Sequence, residues 1–322
     1  MELTPLLRKL CRGRHGGESL NHQEASAALS RLLMEDADQL QLGAFLVALR
    51  IKGETAAELA GFVDAIRNTT TDFDSISSPD AVDLPCYAGK RRAAPLHLLA
   101  AMRARDCGTP VLIHGLSRVK GRLTACDALQ IAGVPRASSL PEAAAMLQAD
   151  GIAYLDVTDY SPPLARLLEL RARLGVRSFA HTVARLINPL QCSGQLNGIF
   201  HAPYGERMAE VNRQLGQPRS LLFMGAEGEP ELYADRQKLL LAQIGGRESV
   251  TLHYSGANLP HYPQTPTTPN ELLTRWQQLL AGEIDSREEV VLQRMAEAFD
   301  FAAGGISLPF QVTLNSTAAP CH

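Results

Sequence analysis

The chain has 322 residues and a formal net charge of −3, and 45% of its residues are apolar, which allows a sizeable core and excludes a largely disordered protein. It contains no run of the ~20 apolar residues that a membrane span needs, and no signal-peptide pattern precedes the first polar cluster. We therefore expect a cytoplasmic protein without membrane partners, with two domains or one large domain and an appendage.

The first 70 residues read as a small all-helical domain. Apolar residues from Leu42 to Leu49 recur at the spacing of one buried helix face. Gly53 is predicted to end this helix in the left-handed conformation. Thr55 and Glu58 form a capping box, which starts the next helix at once.

From residue 71 onward, strands and helices alternate, which predicts an α/β domain with a mostly parallel central sheet. This larger domain is predicted to comprise residues 71–159 and 187–322, and a helical insert at about 160–186 is expected to join the N-terminal helices. The predicted strands are Val82–Leu84, Pro110–Ile113, Gly151–Val157, Ser220–Met224 and Thr251–Tyr254. The predicted helices are Leu96–Arg105, Thr124–Ala132, Pro141–Gln148, Leu164–Leu174, Met208–Leu215, Thr268–Leu280 and Ser286–Gly304.

Charge is distributed unevenly along the chain. The stretch from Leu84 to Thr124 holds eight basic residues and one acidic residue, whereas the rest holds 23 basic and 33 acidic residues. Such asymmetry indicates a positive field at one face of the molecule. The six cysteines show no metal-ligand spacing, which predicts reduced thiols and no zinc site.

Three segments carry a resemblance to a known family. They are QLGAFLVALRIKGETAAELAGF, VLIHGLSRVKGRLTACDALQIAGV and ELRARLGVRSFAHTVARLINPL. Together they resemble anthranilate phosphoribosyltransferase, of the glycosyltransferase family with the thymidine-phosphorylase-like fold. The resemblance implies that fold, and it implies Mg²⁺ and phosphoribosyl pyrophosphate as ligands if the activity is retained.

The loops that would carry this activity depart from the family pattern. Where the family has a Gly-Thr-Gly-Gly-Asp loop to hold pyrophosphate, this chain has LPCYAGKRRAAP, in which Gly89 is the single glycine. Backbone N–H groups approach phosphate most closely where side chains are absent. His114 and Gly115 keep the middle of the family's Lys-His-Gly-Asn loop, but both flanking residues differ.

The family's metal-binding Asp-Glu pair aligns with Pro230 and Glu231, and proline offers Mg²⁺ no side-chain oxygen. Arg171 stands at the position similar to the family's anthranilate-contacting arginine. We therefore expect the parent reaction to be lost or very weak, with no cofactor. The alternative is a phosphoribosyltransferase that uses His114, Gly115, Arg171 and Glu231.

The altered loops resemble those of a divergent branch, the YbiB-like proteins, which implies a nucleic-acid-binding protein and a homodimer formed through the helical domain. Basic side chains replace the glycine-based cradle, and the fold is expected to bring three clusters to one groove that suits single-stranded DNA or RNA of any sequence. The predicted binding residues are Lys90, Arg91 and Arg92 of the first cluster, Arg118, Lys120 and Arg122 of the second, and Arg171, Arg173 and Arg177 of the third.

Simpler interpretations remain open for each motif. Charge runs are commonly solvated loops, and the position of His114 at a strand end favours a structural role over that of a general base. The acidic residues between Glu227 and Glu231 are expected to form a solvated loop. Aromatic stacking candidates near the basic clusters are few, namely Tyr87, Phe179 and Tyr204. A third possible function is a non-catalytic scaffold that binds protein partners.

Overall fold

The computed structural model describes residues 2–12, 17–254, 259–306 and 310, which form thirteen α-helices and eight strands. The helices are α1 (Thr4–Leu10), α2 (His22–Leu32), α3 (Gln39–Lys52), α4 (Ala56–Asn68), α5 (Leu96–Asp106), α6 (Ala125–Ile131), α7 (Leu140–Asp150), α8 (Val157–Tyr160), α9 (Pro162–Leu174), α10 (Ala180–Val183), α11 (Ala202–Gln214), α12 (Pro269–Leu280) and α13 (Ser286–Ala303). The strands are β1 (Val82–Cys86), β2 (Val111–Gly115), β3 (Arg136–Ala137), β4 (Ile152–Asp156), β5 (Gly194–Ile199), β6 (Arg219–Met224), β7 (Lys238–Ile244) and β8 (Val250–Tyr254). Among the described helices, none combines the length and the apolar character needed to cross a bilayer.

All eight strands belong to one sheet, in the order β3-β4-β2-β1-β5-β6-β7-β8. Neighbours from β3 to β6 run parallel, and β7 and β8 extend the sheet as antiparallel strands. Every residue of β1, β2, β4 and β5 is buried, as expected for parallel strands covered by helices on both faces. The carboxyl ends of β1, β2, β5 and β6 consequently lie at one edge of the sheet.

Each face of the sheet buries its own apolar cluster. One cluster joins the sheet to α2–α4 and to α7–α11. The other contains α5, α6, α12 and α13, and its indole Trp276 donates a hydrogen bond of 2.7 Å to the carbonyl oxygen of Ala128. The sheet is thus the middle layer between two groups of helices.

The N-terminal helices pack against the segment around α9 and α10 through three phenyl rings. Phe179 stacks on Phe62 of α4 with ring centroids 4.2 Å apart. Phe45 of α3 meets both rings edge-on, at 5.8 and 6.1 Å. Aromatic pairs in these geometries add stability beyond the area they bury, so this cluster holds the segment between α9 and α10 against α3 and α4.

The predicted fold class is confirmed, whereas several local predictions need correction. Neither β5 nor β7 was predicted as a strand. The sequence predicts Ser286 and Glu289 as the cap of the last helix, but Asp285 and Glu288 form the capping box one residue earlier. Gly53 does end α3, but its φ of 82° and ψ of 131° lie outside the left-handed helical region. The predicted capping box of Thr55 and Glu58 is confirmed.

A candidate nucleic-acid interface

An arginine-lined cavity of about 260 Å³ lies at the carboxyl edge of the sheet. We call it the arginine cleft. Its lining residues are Arg91, Arg92, Arg122, Arg171, Arg177, Phe200, His201 and Glu227. The structure thus brings members of all three predicted basic clusters to one cavity.

The loops after β1 and β2 are tied together, which brings their arginines side by side. Lys90 and Leu123 exchange two backbone hydrogen bonds, each 2.8 Å long. The Arg122 Nη1 atom also donates a 2.9 Å hydrogen bond to the carbonyl oxygen of Gly89. Gly89 has a φ of 67°, which favours glycine at this turn. The first two clusters therefore form one wall.

The opposite wall comes from the helical side of the molecule. Arg171 lies in the last turn of α9, and Arg177 follows the left-handed C-cap of that helix at Gly175. A second cavity of about 150 Å³ shares Arg177, Phe200 and His201 with the cleft. The second cavity adds further basic side chains, Arg50 and Arg185. The positive surface therefore continues past the cleft.

The crowding of guanidinium groups is visible in the pKa values. Burial, together with the nearby charges of Arg171 and Arg185, lowers the pKa of Arg177 to about 10. Burial and the charges of these three arginines lower the pKa of His181 to about 3, so its ring is neutral at neutral pH. An anion in the cleft would relieve this repulsion.

Not every predicted residue reaches the cleft. Arg118 and Lys120 are exposed and do not line it, and Arg173 lines a separate cavity beside Met34. Lys90 is 1% exposed, and its ammonium group is 2.6 Å from Glu231 Oε1. This burial contradicts the prediction that Lys90 contacts a ligand, because its charge is already paired in the interior.

The acidic residues after β6 are buried, so the prediction of a solvated loop is wrong. Glu229 is 1% exposed and accepts hydrogen bonds from the backbone N–H groups of Ala88, at 2.9 Å, and Gly89. The main chain approaches β5 closely here, since a Cβ atom at Gly198 would collide with the backbone of Glu229. We call residues 225–231 the glutamate loop.

Glu227 accepts hydrogen bonds from the next two backbone N–H groups. Its carboxylate accepts from the N–H groups of Arg91, at 3.0 Å, and Arg92, at 3.1 Å, and from the hydroxyl of Tyr262 at 2.8 Å. Glu227 has a φ of 59°, an uncommon conformation for a residue with a Cβ atom. These hydrogen bonds stabilise the positive-φ conformation of Glu227. The backbone N–H groups that follow β1 therefore already donate hydrogen bonds to carboxylates.

Glu231 completes the glutamate loop at the start of α5. Its carboxylate accepts from Lys90 and lies 3.1 Å from His97 Nδ1, at the positive end of the helix dipole. Burial alone would raise the pKa of Glu231, but Lys90 and His97 together lower it to about 2. The three side chains therefore form a charged group sealed from solvent.

His114 and Gly115, two residues of the transferase alternative, are also buried. His114 Nδ1 is 2.9 Å from the hydroxyl of Tyr87, and its Nε2 is 3.1 Å from Asp83 Oδ1. A side chain on Gly115 would collide with the carbonyl oxygen of Cys86. Both residues hold β1 and β2 together, and of the four transferase residues it is Arg171 that lines the cleft.

The magnesium and phosphoribosyl pyrophosphate that the resemblance implies do not fit the residues as arranged here. The amides after β1 are bonded to Glu227 and Glu229, and Glu231 is engaged by Lys90 and His97. A separate group of three possible metal-ligand atoms, from Cys86, His97 and Glu229, lies within 4.8 Å. Two of these groups are already engaged, since Glu229 accepts hydrogen bonds from the amides of Ala88 and Gly89 and His97 Nδ1 lies 3.1 Å from Glu231.

Sequence reasoning missed Phe200, His201 and Arg50. None of them lies in a basic run, and each reaches its cavity because of the tertiary fold. The three stacking candidates are placed differently from expectation. Tyr87 and Phe179 are buried at 4% and 1% exposure, and Tyr204 lines the second cavity.

Comparison with known proteins identifies the family. The helical bundle domain of the glycosyl transferase family matches residues 4–70, and its a/b domain matches residues 80–305. The YbiB protein of Escherichia coli K12 is 30% identical over 91% of this chain and 92% of that protein. Anthranilate phosphoribosyltransferase of Exiguobacterium sibiricum is 29% identical over 94% of this chain and 89% of that enzyme.

Solved structures show the same fold. Anthranilate phosphoribosyltransferase of Thermus thermophilus matches with a TM-score of 0.78 at 24% identity, over 94% of this chain and 90% of that chain. The Saccharomyces cerevisiae enzyme in complex with phosphoribosyl pyrophosphate and Mg matches with a TM-score of 0.71 at 14% identity, over 94% of this chain and 88% of that chain. The chain therefore belongs to the glycosyl transferase family that includes the anthranilate phosphoribosyltransferases, and it is similar to YbiB along most of its length.

Proposed function

We propose that the arginine cleft binds single-stranded nucleic acid, DNA or RNA, through its phosphates and with little preference for base sequence. The observation that carries this proposal is the convergence of five arginines on one cavity. Glu227 is the one carboxylate among the described lining residues, and it is already hydrogen-bonded to two backbone amides. A row of fixed cations suits a chain of phosphates, because each contact releases condensed counterions.

Unused hydrogen-bond donors support the proposal. The buried Nε atoms of Arg91 and Arg92 have no acceptor among the described residues. Leaving such a donor unpaired costs about 1–3 kcal/mol, and a small rotation of the guanidinium group toward a bound phosphate would give it an acceptor. Arg122 is the one cleft arginine whose guanidinium group lies within 4.0 Å of a carboxylate in the described part of the chain, at 3.8 Å from Glu227. The remaining four are available to a ligand.

We further propose that phosphoribosyl transfer is lost or very weak. A compact pyrophosphate would need the amides after β1, and Glu227 and Glu229 already accept hydrogen bonds from them. Displacing these carboxylates would leave negative charges buried beside a second anion, which is strongly unfavourable. A phosphate chain in the outer cleft needs guanidinium groups and no such displacement.

Fluorescence anisotropy with a labelled oligothymidylate tests the binding directly. At low salt we expect saturable binding that unlabelled RNA and DNA single strands both displace. Phosphoribosyl pyrophosphate with Mg²⁺ should displace the oligonucleotide weakly, as any small polyanion would. An absence of oligonucleotide binding at low salt would overturn the proposal.

A second candidate function is the transferase alternative, which Arg171 favours because it lines the cleft at the position that resembles the family's acceptor contact. Calorimetry with phosphoribosyl pyrophosphate and Mg²⁺, followed by an anthranilate-consumption assay, tests this candidate. Saturable heat together with turnover that Arg171→Ala removes would establish the transferase and reject the loss of activity.

We also propose that the helical domain pairs with a second copy of the chain. Leu40, Val47 and Ile51 of α3 form an apolar stripe, and Leu40 and Ile51 are 81% and 82% exposed. The spacing of these residues places them on one helix face, and an apolar face this exposed is typical of an interface. Light scattering should give a dimer mass for the wild type and a monomer mass for Leu40→Glu/Ile51→Glu. A monomeric wild type would reject the pairing.

A further inference from the structure

Phe200 stands out among the exposed apolar side chains. It is 60% exposed, and it is the one aromatic member of that set in the described part of the chain. All six residues of β5 are buried, and Phe200 is the first residue after that strand. It lines both the arginine cleft and the second cavity, so the ring lies between two cavities whose linings contain arginines.

The ring of Phe200 keeps free surface in this position. It meets His201 edge-to-face, with centroids 4.8 Å apart and planes at 88°, and a perpendicular pair covers at most one face of either ring. Guanidinium groups stack on other rings, such as Tyr204 and Tyr87, and none of those described stacks on Phe200. A ligand that covers this exposed ring would remove apolar surface from water, which is favourable.

An unpaired nucleotide can interact with both the exposed aromatic ring and the arginines around it. Its flat π-face stacks on an aromatic ring, and the phosphates on either side carry the charge that the arginines neutralise. Arg171 and Arg177 line the cleft together with Phe200, and Arg177 borders both cavities. A strand that crosses from one cavity to the other would therefore pass over the ring.

We propose that Phe200, supported by His201, is a base-stacking platform that makes the cleft selective for single strands over duplexes. A paired base is already stacked within its helix and offers no free face. This inference rests on the proposed nucleic-acid binding. It assigns a contact to the bases of the ligand, whereas the arginines contact its phosphates.

The test combines a protein variant with a ligand variant. Affinities of the wild type and of Phe200→Ala are measured for an oligothymidylate and for the same phosphodiester chain made fully abasic. We expect Phe200→Ala to weaken oligothymidylate binding about 5- to 150-fold, the equivalent of about 1–3 kcal/mol for one stacked base. On the abasic chain the variant should match the wild type.

Two controls complete the design. Phe200→Trp should retain tight binding, because indole also stacks, and Ile131→Ala, which removes an exposed apolar side chain outside both cavities, should change nothing. Equal losses on both ligands, or no loss on either, would overturn the stacking platform. In those cases salt-sensitive binding of the wild type would still stand, whereas a wild type that binds neither chain would refute the proposed function itself.

Discussion

Lys90 and Arg91 are adjacent in sequence, yet they lie in opposite electrostatic environments. Lys90 is sealed inside with Glu231 and His97, whereas Arg91 lines the open cleft with a buried Nε atom that has no described acceptor. The glutamate loop causes the difference, since it pairs with one cation and leaves the next one free. A run of basic residues therefore does not reveal which of its charges a ligand can reach.

The largest expected effect is on stability, and it tests the buried group of Lys90, Glu231 and His97. Lys90→Met should lower the free energy of unfolding by about 3–5 kcal/mol, because it leaves Glu231 buried without its cation. Urea denaturation measures the change. Arg118→Met, at an exposed position outside the cleft, is the matched control and should change stability by less than about 0.5 kcal/mol. Equal stabilities for the two variants would contradict the burial of Lys90.

The pH dependence of unfolding sharpens the same point. The pKa of Glu231 is lowered from 4.5 to about 2, so the stability that it contributes is fully present above the unfolded-state value and is lost as pH falls through that window. Glu231→Gln should flatten this decline between about pH 4.5 and pH 2. Parallel acid-unfolding curves for wild type and variant would show that Glu231 titrates normally.

Binding measurements test the arginine cleft. Arg171→Ala/Arg177→Ala should weaken oligonucleotide affinity about 10- to 100-fold at low salt and leave thermal unfolding nearly unchanged. Arg118→Ala/Lys120→Ala is a charge-matched comparison, because both side chains lie outside the cleft. Anisotropy should show a much smaller loss for this pair. A larger loss at Arg118 and Lys120 would move the interface away from the cleft.

The smallest effect is expected at Glu227, which belongs to the glutamate loop and also lines the arginine cleft. Glu227 faces the cleft arginines, and Glu227→Gln removes its negative charge. We expect affinity for oligonucleotide to rise about 2- to 5-fold, in line with a partly screened charge pair. A small loss of thermal stability should accompany it, since the hydrogen bonds from Arg91, Arg92 and Tyr262 weaken. A loss of affinity would mean that Glu227 organises the cleft.

The fold was largely predictable because its signals are local. The capping box at Thr55 and the alternation of strands and helices indicated the class of fold. β5 was missed because Gln195 and Asn197 interrupt its apolar pattern, and these side chains donate hydrogen bonds to partners far away in sequence, such as Asp83 and the carbonyl oxygen of Arg185. β7 is rich in leucine, which is common in helices, and it becomes a strand by pairing with β6.

The site was predictable in part. The three basic clusters were expected to meet because the fold implied by the family resemblance places them around one groove, and members of each do line the cleft. The burial of Lys90 was not predictable, since its partner Glu231 lies 141 residues away. Phe200 was not predicted because it lies in no basic run, and β5 carries its ring to the cleft.

The most direct test of the central claim is the salt dependence of oligonucleotide affinity for the wild type and for Arg171→Ala/Arg177→Ala. The wild type should show log Kd rising linearly with log salt concentration, with a slope of about 0.7 for each phosphate contact. Removing two cleft arginines should reduce that slope by about 1.4. Identical slopes for the two proteins, or an affinity that ignores salt, would contradict a cleft that binds nucleic acid through its phosphates.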